Sequence, residues 1–370
     1  MVGLASNRIK MIRLGYLNDT IMIEITPNQQ EILWLFMQKD SSSSSVIHSE
    51  LVEQEKNLSL VTVKRELSAL KLLGLLEIHG AGRAVEYSIN TYGRLLTKVD
   101  AKAYSAIEPD KRHGLKSYNF SLFDSIPTEI FTPEELITLE KATVIYRARG
   151  QGLSPTLKEK ELERFIIELS WKSSKIEGNT YTLLDTERLI MRGEEAPGHD
   201  KKEARMILNH KDAFKFVRDQ AKAFRNLNRA HIEEVHKILV KGMDVQSGPR
   251  AKAVGITGSI YQPLDNSHQI TEALEKLIGT VNRLETPYAK ALIALLGLSY
   301  IQPFEDGNKR TSRLLANAIL LAYDRAPLSY RSVDENNYRE TMLVFYELNS
   351  IMSWKKIFIE QNTFSANNYS

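Results

Sequence analysis

The sequence contains no cysteine, which excludes disulfide bonds and thiolate metal sites. It has no run of about 18 apolar residues, so no membrane span is expected. The start, MVGLASNRIK, lacks the apolar core of a secretory signal. Neither sign of charge is in large excess, because 49 basic residues nearly balance 46 acidic ones. The net charge of +3 is too small to predict a polyanion partner by itself. We therefore expect a cytoplasmic protein with no membrane partner.

The remaining composition is that of a folded protein with more than one domain. The 370 residues are 42% hydrophobic and 26% charged. This length suits two or three domains. The only low-complexity run is the serine run at 41–45, and no internal repeat is visible.

Residues 1–99 predict a small α+β domain. IRLGYLNDTIMIEI is typical of two short strands around an Asn18-Asp19 turn. Three helical segments follow, and the first begins with a capping box at Thr26. The three segments are TPNQQEILWLFMQKD, VIHSELVEQEK and SLVTVKRELSALKLLG. LLEIHGAGRAVEYSI then alternates like a hairpin. Three helices and a hairpin resemble a winged helix-turn-helix, whose third helix enters the DNA major groove.

This resemblance implies DNA contacts from the outer face of the third helix and from the hairpin. The candidate residues are Lys64, Arg65, Ser68, Lys71 and Arg83. However, residues 1–100 contain 11 basic and 11 acidic residues. DNA binding depends on clustered positive charge, which is only local here. A DNA-binding domain and a protein-docking or dimerisation domain therefore both remain open.

The rest of the chain predicts a mainly helical second domain. Residues 100–119 are polar without a clear period, which indicates a linker. Residues 120–362 show one helical pattern after another, and residues 363–370 form a tail. The exception is 248–270, whose Gly, Pro and β-branched residues predict a short β-hairpin flap. The expected fold class is mainly α, with this helical domain after the small α+β domain.

The stretch SYIQPFEDGNKRTSRLL joins two strongly apolar helices and predicts a phosphate site. Gly307 and Asn308 allow backbone N–H groups to converge where the next helix presents its positive end. Asp306 is a hard oxygen ligand that suits Mg²⁺ bridging phosphates. Positive charge comes from Lys309, Arg310 and Arg313. The alternative is a helix–loop–helix corner with a solvated basic face.

Two motifs in this region resemble those of the Fic family. QPFEDGNKRTSR matches the Fic signature H-P-F-x-[D/E]-G-N-G-R-x-x-R except at Gln302 and Lys309. SSKIEGNTYTL, residues 173–183, resembles at 173–179 the Fic inhibitory motif [S/T]-x-x-x-E-[G/N] through Ser173, Glu177 and Gly178. The resemblance covers roughly residues 120–362. It implies a protein adenylyltransferase that transfers AMP from ATP to a Ser, Thr or Tyr hydroxyl of a target protein. ATP, Mg²⁺ and a homodimer are the further expectations that it brings.

The resemblance also assigns residues within the loop at 302–313 and the flap. Asp306 would hold Mg²⁺, and Asn308 would stabilise the transferred phosphate. Glu177 would pair with Arg313 and occupy the space that the γ-phosphate needs. The flap edge would align the target by strand addition. The residues implied in nucleotide binding are Gly255, Ile256, Thr257, Gly258, Gly307, Asn308, Lys309, Arg310, Arg313 and Tyr338.

The two departures from the signature leave alternatives open. Gln302 stands where the family has a histidine base, and an amide is not appreciably basic. Losing a positioned base costs about 10²–10⁴-fold in rate. The chain is then either a slowed adenylyltransferase or an ATP-binding regulator that acts through its winged helix. The Doc relatives that transfer phosphoryl groups also carry lysine at the position of Lys309, so phosphoryl transfer is a further alternative. We interpret the other histidines near this region, His231, His236 and His268, as structural.

Overall fold

The computed structural model describes residues 24–369, which form two compact units that divide after Lys98. The mainly helical class is confirmed, because the described residues contain a single two-stranded sheet among many helices. The strands predicted around Asn18 lie outside the described residues, as does the side chain of Arg83. Within 24–369, no helix combines the length and apolarity of a membrane span.

The first unit places three helices before the two-stranded sheet. Its elements are α1 (Pro27–Met37), α2 (Ser44–Glu53), α3 (Leu60–Leu72), β1 (Leu76–His79), β2 (Glu86–Ile89) and α4 (Thr91–Leu96). The capping box predicted at Thr26 is confirmed, because Thr26 and Gln29 exchange hydrogen bonds between side chain and backbone. β1 and β2 are antiparallel, with Leu76 opposite Ile89. Three helices before a hairpin is the predicted order for residues 27–89, whereas α4 was not predicted. The winged-helix identification stays a prediction.

The second unit is built around two buried helices that meet at the predicted loop. Its helices are α5 (Ala101–Ser105), α6 (Pro133–Gly150), α7 (Pro155–Ile176), α8 (Leu183–Arg192), α9 (Lys201–Asp219), α10 (Arg229–Leu239), α11 (Ser267–Arg283), α12 (Pro287–Ile301), α13 (Asn308–Ala322), α14 (Glu335–Leu348) and α15 (Met352–Asn368). Residues 288–301 of α12 are all buried. A helix that is apolar on every side must be enclosed by other elements, and this explains why α12 and α13 form the centre.

The segment predicted as a linker, 100–119, is instead a packed part of the second unit. It contains α5, and Arg112 within it forms a buried ion pair with Glu347 at 3.0 Å. Its backbone is also engaged, because Asn119 N–H donates to the hydroxyl of Tyr300 at 2.9 Å. A polar, aperiodic segment can pack in this way when buried partners satisfy its polar groups. The domain boundaries themselves stay a prediction.

The segment predicted as a hairpin flap is non-helical until α11 begins at Ser267, but it forms no paired strands in the described residues. Its backbone groups bond to other parts of the chain. Arg250 N–H donates to the carbonyl of Pro303 at 2.8 Å, and Gln262 N–H donates to that of Lys116 at 2.9 Å. Because these outside partners satisfy the backbone, the segment needs no ladder across a hairpin. We keep the name flap for residues 248–266.

Candidate functional site

The loop between α12 and α13 is closed by its own side chains. Gly307 lies just before α13 with φ of 81°, a conformation that favours glycine. The Asn308 side chain accepts from Phe304 N–H at 2.9 Å and donates to the Phe304 carbonyl at 2.8 Å. Phe304 is completely buried, so it anchors the loop in the core. The loop therefore holds the positive N-terminal end of α13 at a fixed place, as anion binding requires.

His236 on α10 supports this loop from behind. Its ring stacks on Phe304 with centroids 3.7 Å apart, and its Nε2–H donates to the Asp306 carbonyl at 3.0 Å. Burial lowers the pKa of His236 to about 4. The ring is therefore neutral at pH 7 and acts as a structural donor, in agreement with its interpretation from the sequence.

Gln302 turns its side chain back toward its own helix. Its backbone is left-handed, with φ of 51°, and its Nε2–H donates to the carbonyl of Ser299 at 2.7 Å. The backbone carbonyl of Gln302 accepts from Arg250 Nε–H at 2.7 Å. The amide thus satisfies a carbonyl at the end of α12, where helices leave such groups unpaired. In this arrangement it has no basic group to offer a hydroxyl.

Arg313 is a fully buried cation held by three neighbours. Its Nε–H and Nη2–H both donate to Ser173, to the hydroxyl and to the carbonyl, at 2.9 Å each. Its Nη1–H donates to the hydroxyl of Tyr338 at 3.1 Å. The same Nη1 lies 2.8 Å from Glu177 Oε1. Burial alone would lower the pKa of Arg313, but Tyr338 and Glu177 raise it. The guanidinium is therefore fully engaged within the protein.

Glu177 lies at the end of α7, directly before Gly178, which has φ of 96°. Its second carboxylate oxygen is 3.8 Å from Lys309 Nζ. Burial favours the neutral acid, but Arg313 and Lys309 outweigh burial and lower the pKa of Glu177. The end of α7 is held in place by Arg339, which donates to the carbonyl of Ile176 at 2.8 Å. A carboxylate thus occupies the charged face of the loop.

Asp306 and Arg310 form a second ion pair in the loop, at 2.8 Å. Asp306 also accepts from Gly307 N–H at 2.6 Å, and its side chain remains more than half exposed. The described residues contain no group of three His, Asp or Glu side chains that could hold a metal. Mg²⁺ commonly takes one or two carboxylates together with substrate phosphates, and the exposed Asp306 fits that role.

The structure separates the remaining predicted site residues into two groups. Ser173, Glu177, Lys309 and Tyr338 gather around Arg313, and Tyr338 is only 1% exposed. The other group lies in the flap and consists of Gly255, Ile256, Thr257 and Gly258, of which Ile256 and Gly258 bond to partners other than Arg313. The Ile256 carbonyl accepts from Ser259 N–H at 3.0 Å, and the Gly258 carbonyl accepts from Arg112 at 2.7 Å.

Sequence reasoning missed two residues that shape this region. Arg250 binds the carbonyls of Gln302, Lys252 and Leu264, and so joins the flap to the loop. Glu347 is a completely buried carboxylate within the apolar stretch TMLVFYELNS. A lone charge in such a stretch was the available signal, since a buried charge requires partners.

Part of the second unit is similar to proteins of a known family. Residues 226–320 match the family model described as Fic/DOC family. "Protein adenylyltransferase Fic" of Nematostella vectensis is 29% identical over 174 residues, covering 46% of this chain and 41% of that protein. "Protein adenylyltransferase fic-1" of Caenorhabditis elegans is 27% identical over 152 residues, covering 40% of this chain and 30% of that protein. The chain thus spans less than half of the length of these relatives.

Two solved structures share the fold. A Fic domain containing signaling protein from Bacteroides thetaiotaomicron aligns with a TM-score of 0.53 and 23% identity, over 62% of this chain and 94% of that one. Fic-1 of C. elegans aligns with a TM-score of 0.55 and 20% identity, over 64% of this chain and 72% of that one. At such identities the similarity establishes the fold alone.

Proposed function

Because this chain carries a Fic/DOC family domain, we propose that it is a protein adenylyltransferase that its own Glu177 holds inactive. The observation that carries the proposal is the 2.8 Å pair between Glu177 and the buried Arg313. A guanidinium that binds a carboxylate has the geometry to bind a phosphate in its place. The substrates are ATP and a hydroxyl of a target protein, and Mg²⁺ is the expected metal.

In this proposal the loop binds the phosphates through fixed groups. The N-terminal end of α13 and Lys309 attract them, and Arg313 receives the terminal phosphate once Glu177 leaves. Asp306 would hold Mg²⁺, which supplies charge neutralisation for the phosphates when bound. Asn308 keeps the loop closed, so that the donors do not reorganise during transfer.

A second candidate is an ATP-binding regulator without transfer activity, and the position of Gln302 favours it. The amide is engaged by the Ser299 carbonyl at 2.7 Å and has no basicity for a target hydroxyl. Without a base, the site would still orient the nucleotide and stabilise the charge on its phosphates. Nucleotide binding would therefore outlast rapid transfer.

Intact-mass spectrometry with Mg²⁺-ATP separates these candidates. We would compare the wild type, Glu177→Gly and Glu177→Gly/Gln302→His, since a freed Fic site is expected to modify its own chain. An AMP-sized gain in the single variant supports the adenylyltransferase. A gain only in the double variant supports the regulator, in which the site lacks only its base. A phosphoryl-sized gain would replace AMP transfer with phosphoryl transfer. No gain in any variant would contradict transfer by this site.

For the first unit we propose a winged-helix module whose partner contacts α3. The exposed side chains of α3 include Lys64, Arg65, Ser68 and Lys71, and also Val61 and Leu72, which are 78% and 86% exposed. Exposed apolar groups beside the charges favour a protein partner over DNA. Fluorescence anisotropy with a labelled duplex tests this preference at about 0.05 and 0.2 M salt. Tight, salt-sensitive binding that Lys64→Glu/Lys71→Glu abolishes would instead establish DNA binding.

A further inference from the structure

Glu347 accepts four hydrogen bonds, from two segments of the second unit that are distant in sequence. It lies on α14 and is completely buried. One carboxylate oxygen accepts from the hydroxyl of Tyr104 at 2.8 Å. The other accepts from Arg112 Nη1–H at 3.0 Å, from the hydroxyl of Ser259 at 2.8 Å and from Ile260 N–H at 3.0 Å. Such a fully satisfied buried carboxylate fixes the relative position of all its donors.

Arg112 extends this cluster to the turn of the flap. While Nη1 binds Glu347, its Nη2–H donates to the Gly258 carbonyl at 2.7 Å. Gly258 has φ of 79°, and the next residue, Ser259, bonds back to the carbonyl of Ile256. The planar guanidinium holds the carboxylate and the flap carbonyl at the same time. A lysine ammonium has no such rigid fork.

The chain on either side of Arg112 lies close against α14. Leu115 N–H donates to the Glu347 carbonyl at 2.6 Å. A Cβ at Gly114 would lie only 2.9 Å from that carbonyl oxygen, so the approach requires glycine. Residues 104–116 therefore form a strap that carries Arg112 to the flap, and the flap is built on this strap and on α14.

We propose that Arg112 and Glu347 are positioning residues that fix the flap turn at Gly258 for alignment of the target segment. The proposal rests on the proposed function and on the role that the Fic resemblance implies for the flap, which is to align the target by strand addition. Neither residue is among those assigned to the phosphates. Their loss should therefore impair transfer more than ATP binding, because a small misplacement of reacting groups can cost about 10²-fold in rate.

The test uses Arg112→Lys in the full chain, with Arg331→Lys as the control. Arg331 also pairs with a buried carboxylate, Glu168, at 3.1 Å, and its hydrogen bonds go to Glu168 and Ser329 rather than to the flap. Hydrogen exchange of flap peptides is measured without nucleotide. Automodification with Mg²⁺-ATP is measured in the Glu177→Gly/Gln302→His background, as kcat and as KM for ATP.

For Arg112→Lys we expect faster exchange confined to the flap and a kcat lowered about tenfold or more, with KM for ATP within about threefold. Arg331→Lys should change neither quantity. Unchanged flap exchange, or equal effects on kcat and on KM, would overturn the assignment. If the background protein transfers nothing, the proposed function fails, and flap exchange still decides the role of Arg112. If Arg112→Lys does not fold, Ser259→Ala removes one bond to Glu347 without leaving an unpaired charge. It should speed exchange at the same peptides.

Discussion

Glu177 connects the charge of the site to the stability of the fold. Its pKa is lowered in the folded state, because Arg313 and Lys309 outweigh the effect of burial. A carboxyl group with a lowered folded-state pKa stabilises the protein above its unfolded-state pKa, and this contribution is lost as the pH falls through the folded-state value. The window for this loss therefore lies below the ordinary glutamate pKa of 4.5.

We predict that Glu177→Gln lowers the free energy of unfolding by about 1.5–3 kcal/mol at pH 7, the range for a hydrogen bond to a charged group. The difference from the wild type should shrink as the pH falls below the ordinary carboxyl pKa. Urea unfolding between pH 7 and 3 measures it, with the exposed Glu187→Gln as control. A difference that stays constant down to pH 3 would contradict the assigned ion pair.

Protonation of His236 makes the stability of the fold depend on pH over a higher pH range than Glu177 does. Its folded-state pKa of about 4 lies below the ordinary 6.5, so the unfolded chain binds the proton first and stability falls as the pH drops below 6.5. His236→Phe keeps an aromatic ring against Phe304 but removes the hydrogen bond to Asp306.

We predict that His236→Phe costs about 1 kcal/mol at pH 7, and that this deficit disappears or reverses near pH 5, where neutral His236 costs the wild type about 1–2 kcal/mol. Unfolding curves at both values test this, with the exposed His268→Phe as control. A deficit that grows toward pH 5 would refute the neutral, buried state of His236.

At the scale of single residues, the sequence predicted which residues form the loop better than it predicted which residues bond to them. Residues 306–313 concentrate polar groups between two apolar helices, and that density is visible in the letters alone. The inward turn of the Gln302 side chain depends on a left-handed backbone at the end of α12. The neighbouring residues give no sequence signal for that conformation. The Glu347 cluster joins residues more than 200 positions apart, and local patterns do not encode such pairs.

At the scale of elements, helix starts were the most predictable features. The capping box predicted at Thr26 is confirmed, and α6 begins with another at Thr132, because the signal and the hydrogen bonds that it forms lie within four residues. The flap shows the opposite case. Its composition suited a hairpin, yet its backbone bonds to Pro303 and Lys116, and those distant partners decided its structure.

Substitution by alanine at two glycines on adjacent helices should change the stability of the protein in opposite directions. A Cβ at Gly297 on α12 would lie 2.3 Å from Leu277 and 2.9 Å from Phe123, whereas one at Gly279 on α11 meets nothing within 4 Å. We predict that Gly297→Ala destabilises the protein by about 1–2 kcal/mol through overpacking, despite its better helix propensity. Gly279→Ala should stabilise by up to about 1 kcal/mol. Thermal unfolding of both variants measures the signs, and equal signs would contradict the close contact of α11 with α12.

At the scale of the whole molecule, the sequence predicted the mainly helical class but not the role of residues 100–119. From the sequence alone, a linker is distinguished from a helix by its polarity and by the absence of a helical period. Most charged side chains of this segment are exposed, but Arg112 within it is buried and binds Glu347, which ties the segment to the second unit. A polar segment and a polar interior cluster have the same composition, so only the fold distinguishes them.

The inhibition that we propose for Glu177 should also be visible in how Mg²⁺-ATP changes the thermal stability of the protein. A ligand that binds only the native state stabilises it by about 2.7 kcal/mol at 100 times its Kd. With Glu177 on Arg313, Mg²⁺-ATP loses a phosphate partner, and the gain should be small. We predict that saturating Mg²⁺-ATP raises the Tm of Glu177→Gly by about 5 °C, and that of the wild type by less than half as much.

Thermal scans with and without Mg²⁺-ATP provide the comparison, and Glu195→Gly serves as a matched control. Glu195 is an exposed glutamate in the loop after α8, so the same substitution there should leave the shift at its wild-type size. Equal shifts for the wild type and Glu177→Gly would mean that Glu177 does not compete with the nucleotide. The ion pair with Arg313 would then stabilise the fold without regulating the site, and inhibition by α7 would have to be abandoned.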